Sequence, residues 1–414
     1  MARLDYARKK KALIYAVALV IGVCCIVLSA CNSDAGIYDV SDKDADLELN
    51  HLVAKFIYVL YENIGNFGWT VVAFTVILKV VLSPLEIWQK LVTRKNGKIM
   101  ERMKPELEVL QAKYGDDKQR MQQEQMALYK REKYSMFGAC LPTIVSLVVI
   151  IVIFTGFREM TGWKFASDYQ DCYKVYDQSM TAQLGEDWEN FQGNGAEFES
   201  AKENAQQAVF DFYYADAQVE SRSFLWIKNI FSPDSWSPAV PDYESVTGQS
   251  GAATSRITGV TADEYESVMG KLIGQGGWGK NGSWNGWLLL PVLSLVLSIV
   301  SQKLMTAVQG TGEKKEKKSF KEKWANLKNL GQPKEGQEPN VQDQSQASMK
   351  MMQYVLPLMS AVFTLMYSSA FAVYMVVNSF VTTLIGLICN LAFMIADKRE
   401  KEGKVKPAKV KAKK

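Results

Sequence analysis

The chain has 414 residues, with 48 Lys and Arg against 44 Asp and Glu, a formal charge of +4, and 22% charged residues. Such averages describe an ordinary globular protein, so anything unusual must lie in how the residues are distributed. A single histidine, His51, and six scattered cysteines with no C-x-x-C exclude a structural zinc site and a His-dependent triad; no catalytic residue, metal or other cofactor is expected.

The apolar residues gather in six runs, at 12–30, 66–85, 137–157, 287–306, 351–368 and 370–394. Each is close to the ~20 residues that cross a bilayer. In the first, Arg3, Arg8 and Lys9 to Lys11 precede an apolar stretch ending in Leu28-Ser29-Ala30-Cys31. That is a signal peptide layout, 1–30, and its end resembles the bacterial lipobox, in which cleavage precedes a lipid-bearing cysteine, here Cys31. Residues 31–65 follow as a polar stalk and the lead-in to the first mature span. After that span, 66–85, residues 86–135 read as two polar helices joined by Tyr114-Gly115-Asp116-Asp117, with Met103, Leu107 and Leu110 spaced to pack one face.

A second span, 137–157, leads into residues 158–285, long enough for a small domain and rich in aromatics. Residues 197–215 look helical there, and Thr261-Ala262-Asp263-Glu264 reads as a capping box opening another helix. Gly274-Gln275-Gly276-Gly277-Trp278-Gly279 formally matches G-x-G-x-x-G, but with no strand before it and a membrane span after it, a loop is the better reading. The third span, 287–306, is followed by a basic, Gln- and Pro-rich loop, 307–350, two further spans at 351–368 and 370–394, and a basic tail, 395–414.

Orientation follows from the Lys and Arg counts. Residues 86–135 hold 12 basic and 8 acidic residues and the tail holds 9 and 3, whereas 158–285 hold 9 and 19. The first two belong in the cytoplasm and the third outside. The lysine runs read as topology signals attracted to anionic lipid, and no specific nucleic acid is expected.

Within the span 66–85 one residue is out of place. Lys79 lies ten residues past Trp69, roughly 15 Å along a helix. An ammonium near mid-bilayer costs at least ~2.5–3.5 kcal/mol. The bland reading is snorkelling toward cytoplasmic water; the other is a water-filled recess. No Asp or Glu occurs inside any span, so the expectation is that Lys79 has no internal ion-pair partner and meets an external, exchangeable anion.

Asn66-Phe67-Gly68-Trp69, Phe74-Thr75 through Pro84-Leu85, Met103-Lys104-Pro105-Glu106-Leu107, Ala139-Cys140-Leu141-Pro142, Leu290-Pro291 and Met351-Met352-Gln353-Tyr354-Val355-Leu356-Pro357 closely resemble the YidC family of membrane protein insertases, in family order. The resemblance implies an all-α polytopic membrane protein: a five-helix core around a hydrophilic groove, a cytoplasmic helical hairpin, and here an inserted extracytoplasmic domain. It places Lys79 where the family usually has an arginine, which keeps the charge and loses the bidentate fork. Gln302, Thr75, Ser146 and Tyr374 are the further groove residues it suggests, although Thr75 and Ser83 are better read as bonding their own helix. Ser146 stands for a glutamine, Tyr367-Ser368-Ser369-Ala370 for Phe-Pro-Ala-Gly, and Met375 for an aromatic.

The implied activity is insertion and folding of integral membrane proteins, alone or with the Sec translocon, in a bacterial cell membrane with the protein lipid-anchored at Cys31. Implied partners are nascent membrane proteins, and a ribosome or targeting factor at the hairpin and tail. The rivals are a small-solute or anion transporter with Lys79 in the path, and a lipid-anchored receptor whose outer domain is the active part.

Overall fold

A computed structural model describes residues 36–114, 117–134, 136–248, 256–273, 284–308, 358, 361–362 and 364–405. Cys31 and the segment 274–279 lie outside them. Among the described residues the regular structure is helical apart from one parallel pair, β1 (Tyr38–Asp39) and β2 (Ile257–Thr258), with Tyr38 opposite Ile257. The helices are α1 (Leu52–Ile64), α2 (Phe67–Tyr114), α3 (Lys118–Arg131), α4 (Met136–Leu184), α5 (Gly195–Tyr213), α6 (Asp216–Arg222), α7 (Tyr243–Thr247), α8 (Ala262–Ile273), α9 (Leu289–Val308) and α10 (Ser369–Val405). The chain divides into two compact units. One takes in the described residues up to Val76, Ile144–Leu293 and Val362–Val377; the other takes in Ile77–Thr143, Ser294–Ala361 and the residues from Asn378 onward.

The first unit holds a small domain built on the distal half of α4. Tyr169, Cys172, Tyr176 and Met180 recur at three- and four-residue spacing, as do Ala201, Ala205, Val209 and Tyr213 on α5 and Tyr265, Val268, Met269 and Leu272 on α8. Each set makes one apolar face, and the faces close on each other with Tyr169 stacked on Tyr265, centroids 5.6 Å apart. The helix expected over 197–215 is observed two residues earlier, started by Asn194, whose side chain accepts from the Ala196 N–H. Thr261 caps α8 by accepting from the Glu264 N–H at 3.2 Å. Glu264 does not complete the box; its carboxylate accepts instead from Lys43 at 2.7 Å and from the Tyr169 hydroxyl at 3.0 Å.

Residues 36–64 are more ordered than a stalk. Gly36, at φ +85°, passes so close to α4 that a Cβ on Gly162 would stand 2.0 Å from the Gly36 carbonyl oxygen. Helix α1 begins at His51, whose Nδ1 accepts from the Val53 N–H, and ends at Gly65 in the left-handed conformation. Glu159 on α4 accepts from the Asn50 and His51 N–H groups, at 2.5 and 2.8 Å, just before that helix starts. The start of α9 is served from a distance in the same way. Asp234, fully buried, accepts from the Leu288 N–H at 3.0 Å and the Leu290 N–H at 2.7 Å. A carboxylate there satisfies orphan donors and complements the helix dipole. Helix α10 starts at Ser369, whose N–H and hydroxyl both donate to the Ser232 carbonyl.

In the second unit, α2 runs unbroken through Pro84, so the apolar stretch and the first arm of the hairpin are one helix and not two elements meeting near residue 85. Asp117 caps α3 through the Arg120 N–H, and Ile99, Met103 and Leu107 pack on Leu128. Glu106 and Arg131 pair across the two arms.

Candidate functional site

The site lies in the second unit, where α2 and α10 run parallel. Lys79 is 7% exposed. Its ammonium donates to Glu86 Oε1 at 2.5 Å and to the Thr382 hydroxyl of α10 at 2.8 Å. This corrects the expectation that the lysine has no internal partner. Glu86 was counted outside the span because it follows Pro84. Because the helix continues, a residue seven places on returns to the same face two turns below, near enough for the two side chains to meet.

Below Glu86 the same face of α2 carries Lys90, Arg94 and Lys98, at four-residue intervals. Lys90 is buried, with its Nζ against Gly386 of α10, where an added Cβ would stand in ordinary contact at 3.5 Å. The Arg94 guanidinium lies over the Phe393 ring, 4.3 Å from its centroid, and pairs with Asp397, which Lys98 also reaches at 3.1 Å. A ladder of cations thus climbs α2 from the hairpin to Lys79, interrupted by one carboxylate at Glu86 and closed at its lower end by another at Asp397.

On the α10 side the polar line continues. Ser379 lies one turn above Thr382, and its hydroxyl is 3.2 Å from that of Ser298 on α9. Gln302 follows one turn after Ser298 and is half-buried. The opposite faces of these helices are apolar and bare: Val80 and Val81 on α2, Val296 on α9, Ile388 and Leu391 on α10 are all exposed. Charge and hydroxyls inward with aliphatic side chains outward is the reverse of a soluble helix bundle, and in a bilayer it buries the costly groups while offering lipid an apolar surface.

The other expected residues are placed separately. Thr75, in the first unit, is buried and donates to the Val71 carbonyl of its own helix at 2.6 Å. Tyr374, also in that unit, is 1% exposed and sits among Phe157 and Phe371, with centroids 5.8 and 5.9 Å away. Ser146 falls within α4, but its side chain is outside the described residues. Sequence reasoning missed Glu86, Lys90 and Thr382; the 79, 86, 90 register would have found the first two had α2 been carried through its proline.

Fold and site together define a mostly helical protein in which, among the described residues, α2 and α10 are long and apolar enough to cross a membrane and hold a cation on an ion pair and a hydroxyl. The family model described as "60Kd inner membrane protein" matches residues 59–396, and the chain belongs to that family. Proteins named "Membrane protein insertase YidC" are similar in part: that of Bordetella avium is 38% identical over 110 residues, 25% of this chain and 18% of the relative. That of Caldanaerobacter subterraneus is 31% identical over 115 residues, 28% of this chain and 54% of the relative. That of Stenotrophomonas maltophilia is 37% identical over 95 residues, 23% and 16%. The chain therefore covers between about a sixth and a half of the length of these relatives.

Proposed function

We propose that this protein is a membrane protein insertase. It draws the polar, acidic end of a substrate into the membrane along the cationic face of α2, engages a substrate carboxylate at Lys79, and lets the substrate's apolar helix pass into lipid. No nucleotide is consumed. The driving term is burial of the substrate's own apolar surface, and the groove's contribution is to shorten the distance over which the polar end is unsolvated. The observation that carries the reading is Lys79 itself, an ammonium buried in an apolar helix beside a row of hydroxyls. A structural cation would be expected at a helix end, where it can snorkel.

Five spans with the 158–285 domain outside, a lipid anchor on Cys31, cooperation with the Sec translocon, docking of a ribosome or targeting factor on the hairpin and basic tail, and contact with anionic lipid belong to the same proposal. Each is supported by charge distribution or motif. The test is complementation of an insertase-depleted bacterium. Lys79→Arg should support growth, and Lys79→Glu should impair insertion of acidic-tailed substrates. Equal activity of the Arg, Ala and Glu variants overturns the role of Lys79. Anion flux through purified protein in liposomes, without substrate insertion, overturns the insertase reading itself.

A further inference from the structure

We propose that Glu86 is a built-in competitor for the Lys79 ammonium and so determines which substrates the site accepts. The inference rests on the insertase reading and sharpens it. The pair is lopsided. Lys79 has two partners, Glu86 Oε1 and the Thr382 hydroxyl, whereas Glu86 Oε2 is buried and accepts no hydrogen bond among the described residues. A carboxylate has about four acceptor sites, and one held by a single ammonium away from water leaves much of its desolvation cost unrecovered. Of the two, Glu86 is the member more readily exchanged.

What Lys79 and Thr382 now hold is the same functional group a substrate's Asp or Glu presents. Exchange therefore replaces one ion pair with another of the same kind, and no step leaves an unpaired ammonium in the apolar region. Lys90, four residues below Glu86 on the same face, already attracts that carboxylate and continues to do so once it leaves Lys79. Because Glu86 is tethered to the same helix, it competes at a high effective concentration, so a substrate with one weakly presented acid loses to it and a substrate with several prevails. A neutral tail has nothing to exchange. On this account a lysine with a resident carboxylate selects for acidic tails more steeply than a bare cation would.

The experiment uses full-length protein in liposomes and a substrate series carrying zero, one, two or three acidic residues in its translocated tail. The wild type should show a steep rise with acid number. Glu86→Gln should raise insertion of the one-acid substrate roughly tenfold, the effect of removing about 1.4 kcal/mol of competition, with the gain shrinking as acids are added. Glu86→Asp, which keeps the charge and shortens the reach, should fall between them and guards against misfolding of the neutral variant. If Glu86→Gln and Glu86→Asp lower all four substrates equally, the pair is structural and the proposal fails. The exchange is also read without insertion. A zero-length carbodiimide cross-link between Lys79 and Glu86, mapped by mass spectrometry, should form in wild-type vesicles and be suppressed by an acidic-tailed peptide but not by its amidated counterpart. A cross-link that the acidic peptide leaves unchanged overturns the exchange. A wild type that inserts none of the series yet shows the suppression overturns the insertase reading and leaves the exchange standing.

Discussion

The Ser83 hydroxyl donates to the Val80 carbonyl at 2.8 Å. That carbonyl is the one Pro84, which has no N–H, fails to bond four residues later, and the proline ring crowds it as well. The serine beside the proline restores the lost bond, and this accounts for a helix that crosses Pro84 without ending. Ser83→Ala should lower the thermal unfolding temperature of the detergent-solubilised protein by a few degrees, as expected for about 1 kcal/mol. Ser83→Thr should restore it, and an alanine variant as stable as wild type would refute the account.

Asp234 is expected to matter more than its distance in sequence from α9 suggests. Removing it strands the buried Leu290 N–H, at a cost of about 1–3 kcal/mol, together with the half-buried Leu288 N–H. Asp234→Ala should be strongly destabilising, and Asp234→Asn, which keeps one acceptor oxygen, less so. Thermal unfolding of the two variants checks the order. Gly286 must stay small for the same contact, since a Cβ there would stand 2.0 Å from Asp234 Oδ1.

His51 makes the start of α1 sensitive to acid. Burial holds its imidazole below the ordinary value of 6.5, against the opposing pull of the nearby Glu159 carboxylate. The neutral ring is the form that accepts from the Val53 N–H. In the unfolded segment the ring takes up a proton near 6.5, whereas in the folded segment it does so only at lower pH. The unfolded state therefore binds more protons in that interval, and stability falls as pH drops below about 6.5. The hydrogen-exchange protection of the first turn of α1, taken relative to the intrinsic exchange rate at each pH, should fall between pH 7.5 and 5.5, and His51→Asn should remove most of that pH dependence.

Cys172 is completely buried in the α4–α5–α8 core, and burial pushes its thiol far above the usual range. A thiol held protonated and out of contact with water is inert. In the native protein N-ethylmaleimide should leave the Cys172 peptide unmodified by mass spectrometry, with labelling appearing only as the domain unfolds. Rapid native labelling would mean that this core opens on its own.

Two helices of the small domain were legible in the sequence because their signals are local: apolar residues at helical spacing for one and Thr261 ahead of the other. Lys79 was legible because a charge in an apolar run needs no partner to be noticed. Its counter-ion was not, because Pro84 reads as a boundary even though Ser83 beside it reads as bonding its own helix. Helix α1 was missed because its residues lie directly before the first mature span and read as the lead-in to it, although Lys55 and Glu62 fall on one side of the helix and most of its apolar residues on the other. The cap on α9 was out of reach for a different reason, since nothing in Asp234 marks it as the partner of backbone groups more than fifty positions away.

The uninterrupted course of α2 has a mechanical meaning. From Ile77 to Tyr114 it is one continuous helix, roughly 57 Å at 1.5 Å per residue and crossing Pro105 as well as Pro84, with Lys79 near one end and the Leu107–Leu128 contact toward the other. Any load on the hairpin arm meets the Arg94 and Lys98 contacts with Asp397 before it reaches Lys79 and Thr382.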